Sequence, residues 1–255
     1  EVSILNLNNI ILKVCRENPD DFEFDCTWRS ALEESIANFA PDFIGVTCMF
    51  TMTHQSFKKV CLAIGEGDIP MALGGVHVTN DWKAVMHDIP AASFAFLREG
   101  EISFAKFCQY VNGTRSQGAI CQLVARDIRK NISVEFDSEA LPKAEDLDLI
   151  PSYDLISLED LSQNGVMGNF YGFKGPETKF ATALSNRGCQ AQCTFCSVRT
   201  FNGQGVRQRS IDSVIEELKI LRFDYGIDHI VWLDDDLLKG NARTLELFER
   251  MVQEN

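Results

Sequence analysis

The stretch Pro70-Met-Ala-Leu-Gly-Gly-Val-His-Val-Thr79 decides the fold. Its first half is a short apolar run, the kind carried by a strand buried on both faces. It breaks into a glycine pair, which has no Cβ to hold a ligand or a neighbouring backbone at a distance. Upstream, Phe43-Ile-Gly-Val-Thr47 has the same character, and downstream Ser93 to Leu97 repeats it. Helical patterns lie between these runs. Trp28, Leu32, Ile36 and Phe39 share one face of a helix, and Phe57, Val60, Cys61 and Ile64 share one face of another. A third helix follows Arg98-Glu-Gly-Glu101 and runs to Tyr110. Strands alternating with helices predict an α/β fold with a parallel, Rossmann-like sheet over residues 1–112, with Val2 to Leu7 as a further strand. Such sheets bind ligands beyond the carboxyl ends of their strands, which is where Gly74 and Gly75 fall.

The composition narrows the classes. The chain has 255 residues, 45% of them hydrophobic, and a formal net charge of -13. That acidity repels phosphate backbones and excludes nonspecific nucleic-acid binding on charge alone. No apolar run approaches the roughly 20 residues that a membrane span needs. Glu1 to Asn9 carries no basic segment or cleavage pattern of a secretory signal. The sequence opens on Glu1 rather than methionine and stops inside a helical pattern at Asn255, so it reads as a piece of a longer chain.

From 113 to 178 the periodicity weakens. Gly113, Gly118, Asn131 and the acidic stretch Lys143 to Asp148 suggest a hairpin, then a linker holding Pro142 and Pro151. Gly165, Gly168, Gly172 and Gly175-Pro176 make the approach to the next domain loop-like. Order returns over 179–255. Phe180 to Leu184 reads as a strand. Ser210 caps a helix whose apolar face is Ile211, Val214, Ile215, Leu218 and Leu221. Gly226 ends that helix, Ile230 to Leu233 forms a strand running into Asp234-Asp235-Asp236, and a helix begins near Asn241. Strand, loop, helix, strand, helix is the start of a βα barrel.

Six of the nine cysteines, Cys15, Cys26, Cys48, Cys61, Cys108 and Cys121, are scattered through apolar or mixed stretches and read as small buried hydrophobes. The other three crowd into Arg187-Gly-Cys-Gln-Ala-Gln-Cys-Thr-Phe-Cys196, a C-x3-C-x2-C pattern at Cys189, Cys193 and Cys196. Without a secretory signal this usage fits a metal site in a reducing cytoplasm rather than a disulfide framework. Three thiolates so spaced can hold three corners of a [4Fe-4S] cube and leave one iron open. Zinc wants four protein ligands, and the nearest histidine in sequence is the distant His229. Zinc and a simple ferredoxin-like role remain the other readings of the cysteines alone.

The cysteine loop, with Phe195 one place before its last cysteine, resembles that of the radical S-adenosylmethionine (radical SAM) superfamily. Gly-Gly-x-His-x-Thr followed by Glu-Gly-Glu resembles the cobalamin-binding domain found ahead of some radical SAM cores. The resemblance implies that Cys189, Cys193 and Cys196 ligate the cluster and that the open iron chelates SAM. An electron from the cluster then cleaves the sulfonium to methionine and a 5′-deoxyadenosyl radical. Phe195 would lie near the adenine, core packing being its other role. The superfamily's usual Gly-Gly-Glu is absent. Asp234-Asp235-Asp236 stands in its place, as in the cobalamin-dependent branch, and Asp234 or Asp235 would hold the SAM ammonium. A solvated helix N-terminus is the alternative for these acids.

By the same resemblance Gly74, Gly75, His77, Thr79, Thr47 and Thr51 surround the lower face and nucleotide tail of the corrin, and Glu99, Gly100 and Glu101 close that pocket. His77 otherwise reads as a hydrogen-bonded turn residue, and His54 and His87 as solvated helix positions. The Asp-x-His-x-x-Gly string of histidine-ligated cobalamin domains is absent. Val2 to Leu7 resembles the family's second strand, so the first strand and its loop are expected to be missing.

The expectation is an oxygen-sensitive cytoplasmic enzyme that uses the cluster, SAM and cobalamin to methylate, cyclise or rearrange a small-molecule substrate. Its electrons would come from a donor such as flavodoxin or ferredoxin, and the piece alone is expected to be inactive. Two other readings stand beside it. One is a methylthiotransferase with a second cluster held by Cys15, Cys48 and Cys61 or Cys108. The other is a non-catalytic cobalamin-binding module.

Overall fold

The computed structural model describes residues 1–114, 120–126, 133–134, 141–164, 178–238 and 242–254. Gly118, Asn131, Gly165, Gly168, Gly172, Gly175, Pro176 and Asn241, which carried part of the loop and helix-start expectations, lie outside the described residues.

The chain begins with helices α1 (Leu7–Glu17) and α2 (Phe24–Phe39), which pack on each other. The strand expected over Val2 to Leu7 does not form, and residues 1–6 carry no regular structure. The Asn6 side chain accepts the Asn9 N–H at 3.1 Å and caps α1 at that point. A short apolar run is ambiguous between strand and helix, and here the asparagine cap decides.

Two compact units make up the molecule. The first comprises residues 41–143 and 188–206. It is built on a five-stranded sheet ordered β1 (Ile44–Thr47), β2 (Met71–Gly74), β3 (Phe94–Phe96), β4 (Leu123–Ala125) and β5 (Ser133–Val134). The first three strands run parallel and the last two antiparallel, so the sheet is mixed, with β4 and β5 paired along its edge. The crossovers are α3 (His54–Ile64) and the pair α4 (Val76–Asn80) and α5 (Trp82–Asp88), while α6 (Glu101–Val111) follows β3.

The register sets Thr47 beside Gly74 and Leu73 beside Ala95, so three strands deliver their carboxyl ends to one edge. Phe107 of α6 packs against Phe43, Phe94 and Phe96, with ring centroids 4.9–5.4 Å apart. Arg126, just past β4, donates to the carbonyls of Met86, Ala92 (3.0 Å) and Ile89 (3.5 Å). It closes the end of α5, where unpaired carbonyls favour a cation.

The second unit comprises residues 1–40, 144–187 and 207–255. The elements after β5 are α7 (Leu158–Asn164), β6 (Phe180–Ala183), β7 (Asn186–Cys189), α8 (Val198–Asn202), β8 (Gly205–Gln208), α9 (Ile211–Phe223), β9 (His229–Trp232) and α10 (Ala242–Gln253), of which α8 belongs to the first unit and β7 and β8 straddle the boundary. Strands β6 and β9 pair in parallel with Ala183 beside Trp232, and α9 lies between them in sequence. This is one parallel βαβ unit, and no closed barrel is present among the described residues.

Ser210 caps α9 as its sequence suggests, accepting the Ser213 N–H at 3.2 Å. Val214, Ile215 and Leu247 form one small core, and Tyr153, Leu158, Ala181, Leu221 and Ile227 another. Within this apolar surround lies a polar knot. Arg209 donates to Glu217, to the Leu184 carbonyl at 2.9 Å and to Ser213 Oγ at 2.9 Å, and the Tyr153 hydroxyl donates to Glu217 Oε1. Glu217 sits on the buried face of α9, where its charge is tolerated because Arg209 and Tyr153 meet it.

Candidate functional site

The parallel edge of the first unit is shaped by two glycines with different duties. Gly75 has φ +101°, and a Cβ there would lie 2.4 Å from the Cys48 carbonyl oxygen and 2.8 Å from Thr47 Oγ1. It lets the loops after β1 and β2 touch, with the His77 N–H donating to Cys48 O at 3.1 Å. Gly74 is different: the nearest atom to a Cβ there is the Phe96 carbonyl oxygen at 3.8 Å. Around Gly100 no atom lies within 4 Å of that position. Backbone at Gly74 and Gly100 is thus open to a ligand, a cradle that side chains would fill. Thr79 ties the loops together, its hydroxyl donating to Gly75 O at 3.0 Å and accepting the Arg98 N–H at 2.7 Å. Glu99 is buried, while Glu101 is exposed at the start of α6.

His77 is buried in α4, and its imidazole is bonded at both nitrogens. Nδ1 meets Thr51 Oγ1 at 3.1 Å, and Nε2 meets His54 Nδ1 at 2.9 Å. His54 Nε2 in turn reaches Asp88 Oδ2 at 3.1 Å. Burial first, then the His54 ring, holds His77 below the ordinary imidazole range, while Asp81 pulls the other way. The hydrogen bond from His54 holds the Asp88 carboxyl below its ordinary value, helped by Lys58. His87 is exposed as expected. His54 is not a solvated helix position, because its ring bridges His77 and Asp88. Nothing in the linear spacing of these three residues marks them as neighbours.

The cysteine loop leaves the first unit's Gly188. That residue has φ +91°, and a Cβ on it would sit 2.3 Å from the Gly205 carbonyl oxygen. Cys189 is half-buried, with the Ala191 N–H donating to its Sγ at 3.4 Å. Cys193 and Cys196 are exposed, and the Cys196 N–H turns back to Cys193 O at 3.2 Å. Among the described residues no three His, Cys, Asp or Glu side chains are gathered closely enough to share a metal ion as they stand. The donor set nonetheless suits an iron–sulfur cube in its chemistry, with three thiols and no carboxylate or imidazole between Cys189 and Cys196. Phe195 is 91% exposed and so is not a core residue. Helix α8, two residues beyond Cys196, packs on α4, the helix of His77 and Thr79.

In the second unit, the Asp234 carboxylate accepts the Ser185 N–H at 3.1 Å on both oxygens. Its Oδ1 also accepts the Ser185 hydroxyl and the Asn186 N–H, each at 2.7 Å. Asp234 therefore holds the chain that enters the cysteine segment. Asp235 is exposed and Asp236 half-buried. Cys48 and Cys61 are buried: the Cys48 thiol touches Phe50 O and Thr53 Oγ1 at 3.4 Å, and burial pushes the Cys61 thiol up to about 12.

The edge of a mixed α/β sheet thus carries two glycine-bounded loops, and a three-thiol loop lies in the same compact unit. Residues 8–107 match the family model of the B12 binding domain. The chain is 28% identical over 227 residues to an uncharacterised methyltransferase of Pyrococcus horikoshii, covering 88% of this chain and 46% of that protein. It is also 28% identical over 236 residues to cytidylyl-2-hydroxyethylphosphonate methyltransferase of Streptomyces wedmorensis, covering 82% of this chain and 42% of that protein. The chain thus spans less than half the length of these two relatives.

Its fold is that of the radical S-adenosylmethionine methyltransferase TsrM from Kitasatospora setae, solved with tryptophan substrate and a SAM analogue. The TM-score is 0.70 and the identity 17%, over 98% of this chain and 49% of that one. The same protein solved with cobalamin and a [4Fe-4S] cluster gives a TM-score of 0.65 at 17% identity, over 96% of this chain and 48% of that one. No described helix is long and apolar enough to cross a membrane.

Proposed function

We propose that this chain works in a cobalamin-dependent radical SAM methyltransferase acting on a small-molecule substrate in the cytoplasm, with electrons from a flavodoxin- or ferredoxin-like donor. The observation that carries this reading is the packing of α8 on α4. It sets the segment just after Cys196 against the helix of His77 and Thr79, two motifs far apart in sequence.

When bound, the reduced cluster would give one electron to the SAM sulfonium, breaking its C5′–S bond to methionine and a 5′-deoxyadenosyl radical, while cobalamin would carry the methyl group. In this assignment Cys189, Cys193 and Cys196 hold the cluster. Exposed Phe195 offers a ring face to the adenine. Asp234 or Asp235 is the carboxylate that meets the SAM ammonium, Asp234 also holding Ser185 and Asn186. Gly74, Gly100 and Thr51 face the corrin with Thr47 and Glu101. Gly75, His77, Thr79 and Glu99 shape the loops behind them.

The test is anaerobic reconstitution of the protein with iron, sulfide and hydroxocobalamin, followed by metal counting. The expected result is roughly four irons and about one cobalt per chain. Iron without cobalt removes the corrin from this reading, and zinc in place of iron overturns it. With a substrate in hand, 5′-deoxyadenosine released alongside methylated product supports methyl transfer, and deoxyadenosine without methylation excludes it.

A further inference from the structure

We propose that Asp88, His54 and His77 form a relay that accepts a single proton and thereby decides whether the Thr51 hydroxyl donates or accepts toward a ligand. Naming that ligand as cobalamin rests on the reading above; the relay itself does not.

The argument follows from counting hydrogens along the chain of contacts. Asp88 is an ionised carboxylate and only accepts, so His54 Nε2 carries a hydrogen toward it at 3.1 Å. The 2.9 Å contact between His54 Nδ1 and His77 Nε2 holds one hydrogen, since two would clash and none would leave two lone pairs opposed. With both rings neutral, that hydrogen belongs to His77 Nε2. His77 Nδ1 is then bare and accepts the Thr51 hydroxyl hydrogen at 3.1 Å. In this state the Thr51 oxygen offers only lone pairs to its exposed side.

One added proton reverses the chain. The hydrogen between the rings shifts to His54 Nδ1, and the added proton ends on His77 Nδ1, which now donates to Thr51 Oγ1. The hydroxyl hydrogen is released and turns outward as a donor. A second added proton has no place, because it would put hydrogens on both nitrogens of the 2.9 Å contact. The pair is therefore a one-proton unit, and a ligand group that only accepts, such as a phosphodiester or amide oxygen, binds Thr51 with that proton present.

The surroundings set where this occurs. Asp88 favours the charged pair, and its carboxylate is also shared with Lys58 Nζ at 3.5 Å and His87 Nδ1 at 3.5 Å. Asp81 acts on His77 in the same sense as Asp88, and burial of His77 acts against both. His54 stands at the first position of α3, where the helix dipole disfavours a cation, so Asp88 is the main group holding the proton on the pair. Its side chain is 38% exposed, which gives the proton a route from solvent.

The protein without cofactors, carrying ring-labelled 15N-histidine, is titrated by NMR from pH 8.5 to 5. The expected result is one shared midpoint for His54 and His77 with one proton gained between them. His77 Nδ1 should become protonated while His54 Nε2 keeps its hydrogen throughout. Two independent midpoints with two protons gained overturn the relay. Asp88→Asn, at a partly exposed position, should lower the pair's proton affinity roughly tenfold, and an unchanged midpoint likewise overturns it. Failure to bind cobalt in reconstitution leaves this titration intact and counts only against the cobalamin reading.

Discussion

Asp234 and Ser185 are joined three times: both carboxylate oxygens of Asp234 accept the Ser185 N–H at 3.1 Å, and Oδ1 takes its hydroxyl at 2.7 Å. The acid after β9 thereby secures the backbone after β6, because backbone amides at a strand end need an acceptor and a carboxylate is a strong one. Replacing it by alanine leaves these amides unpaired. Asp234→Ala should cost about 2 kcal/mol in urea unfolding, with Asp234→Asn in between. A loss confined to SAM binding, with stability unchanged, would contradict this structural role.

The two adjacent glycines should behave differently. At Gly75 a methyl group meets the Cys48 carbonyl at 2.4 Å in a left-handed backbone, so Gly75→Ala should destabilise the unit by on the order of 2 kcal/mol. At Gly74 the nearest atom is 3.8 Å away, so Gly74→Ala should fold normally yet bind hydroxocobalamin more weakly. Equal effects of both substitutions on thermal unfolding would contradict the division of duties.

Thiol reactivity should separate the cysteines. In the protein without iron, iodoacetamide at pH 8 should label exposed Cys193 and Cys196 and spare Cys61, which is fully buried and whose thiol is pushed up to about 12. Reconstitution with iron and sulfide should then protect Cys189, Cys193 and Cys196. Peptide mass mapping reads both results, and labelling of Cys61 at the rate of Cys193 would contradict its burial.

Breaking the polar knot in the second unit should be expensive. Glu217→Ala leaves the buried Arg209 guanidinium without its anion, and removal of one partner of such a pair costs about 3–5 kcal/mol. Calorimetry should show the largest fall in Tm of any substitution named here.

Stability should also depend on pH through His77. Its folded value lies below the ordinary 6.5, so the fold favours the neutral ring. The stability linked to it is complete above pH 6.5 and is lost as pH falls through the lower folded value. Urea midpoints should therefore drop between pH 7 and 5 in the wild type and drop less in His77→Gln.

Much of the fold was legible in the sequence because local signals and burial agree there. The apolar run at Met71–Leu73 became a buried parallel strand, and Ser210 capped the helix it precedes. Val2 to Leu7 was misread because a run without a paired neighbour carries no strand information beyond its apolarity, and Asn6 offered a helix cap instead. Within the site, Gly74, Gly75 and the three cysteines announce themselves by residue type. His54 and Asp88 do not: they meet His77 only because α3, α4 and α5 converge, and a contact between helices leaves no trace in linear spacing. Asp234 was visible as an acid, but its partners were not, since Ser185 is brought to it by the pairing of β6 with β9.

The close approach of Gly188 to Gly205 sets the base of the cysteine segment. A Cβ at Gly188 would collide with the Gly205 oxygen, so the two backbones pinch the cysteine segment into a closed loop with a fixed base. Closing a longer loop costs little more, about 0.6 kcal/mol for each doubling. A change of length between Gln190 and Gln204 therefore costs little in closure entropy, and falls instead on the C-x3-C-x2-C spacing and on the packing of α8 against α4. The cysteine segment is in this sense held by its neck: a side chain at Gly188 would force the two backbones apart and open the base on which the three thiols stand.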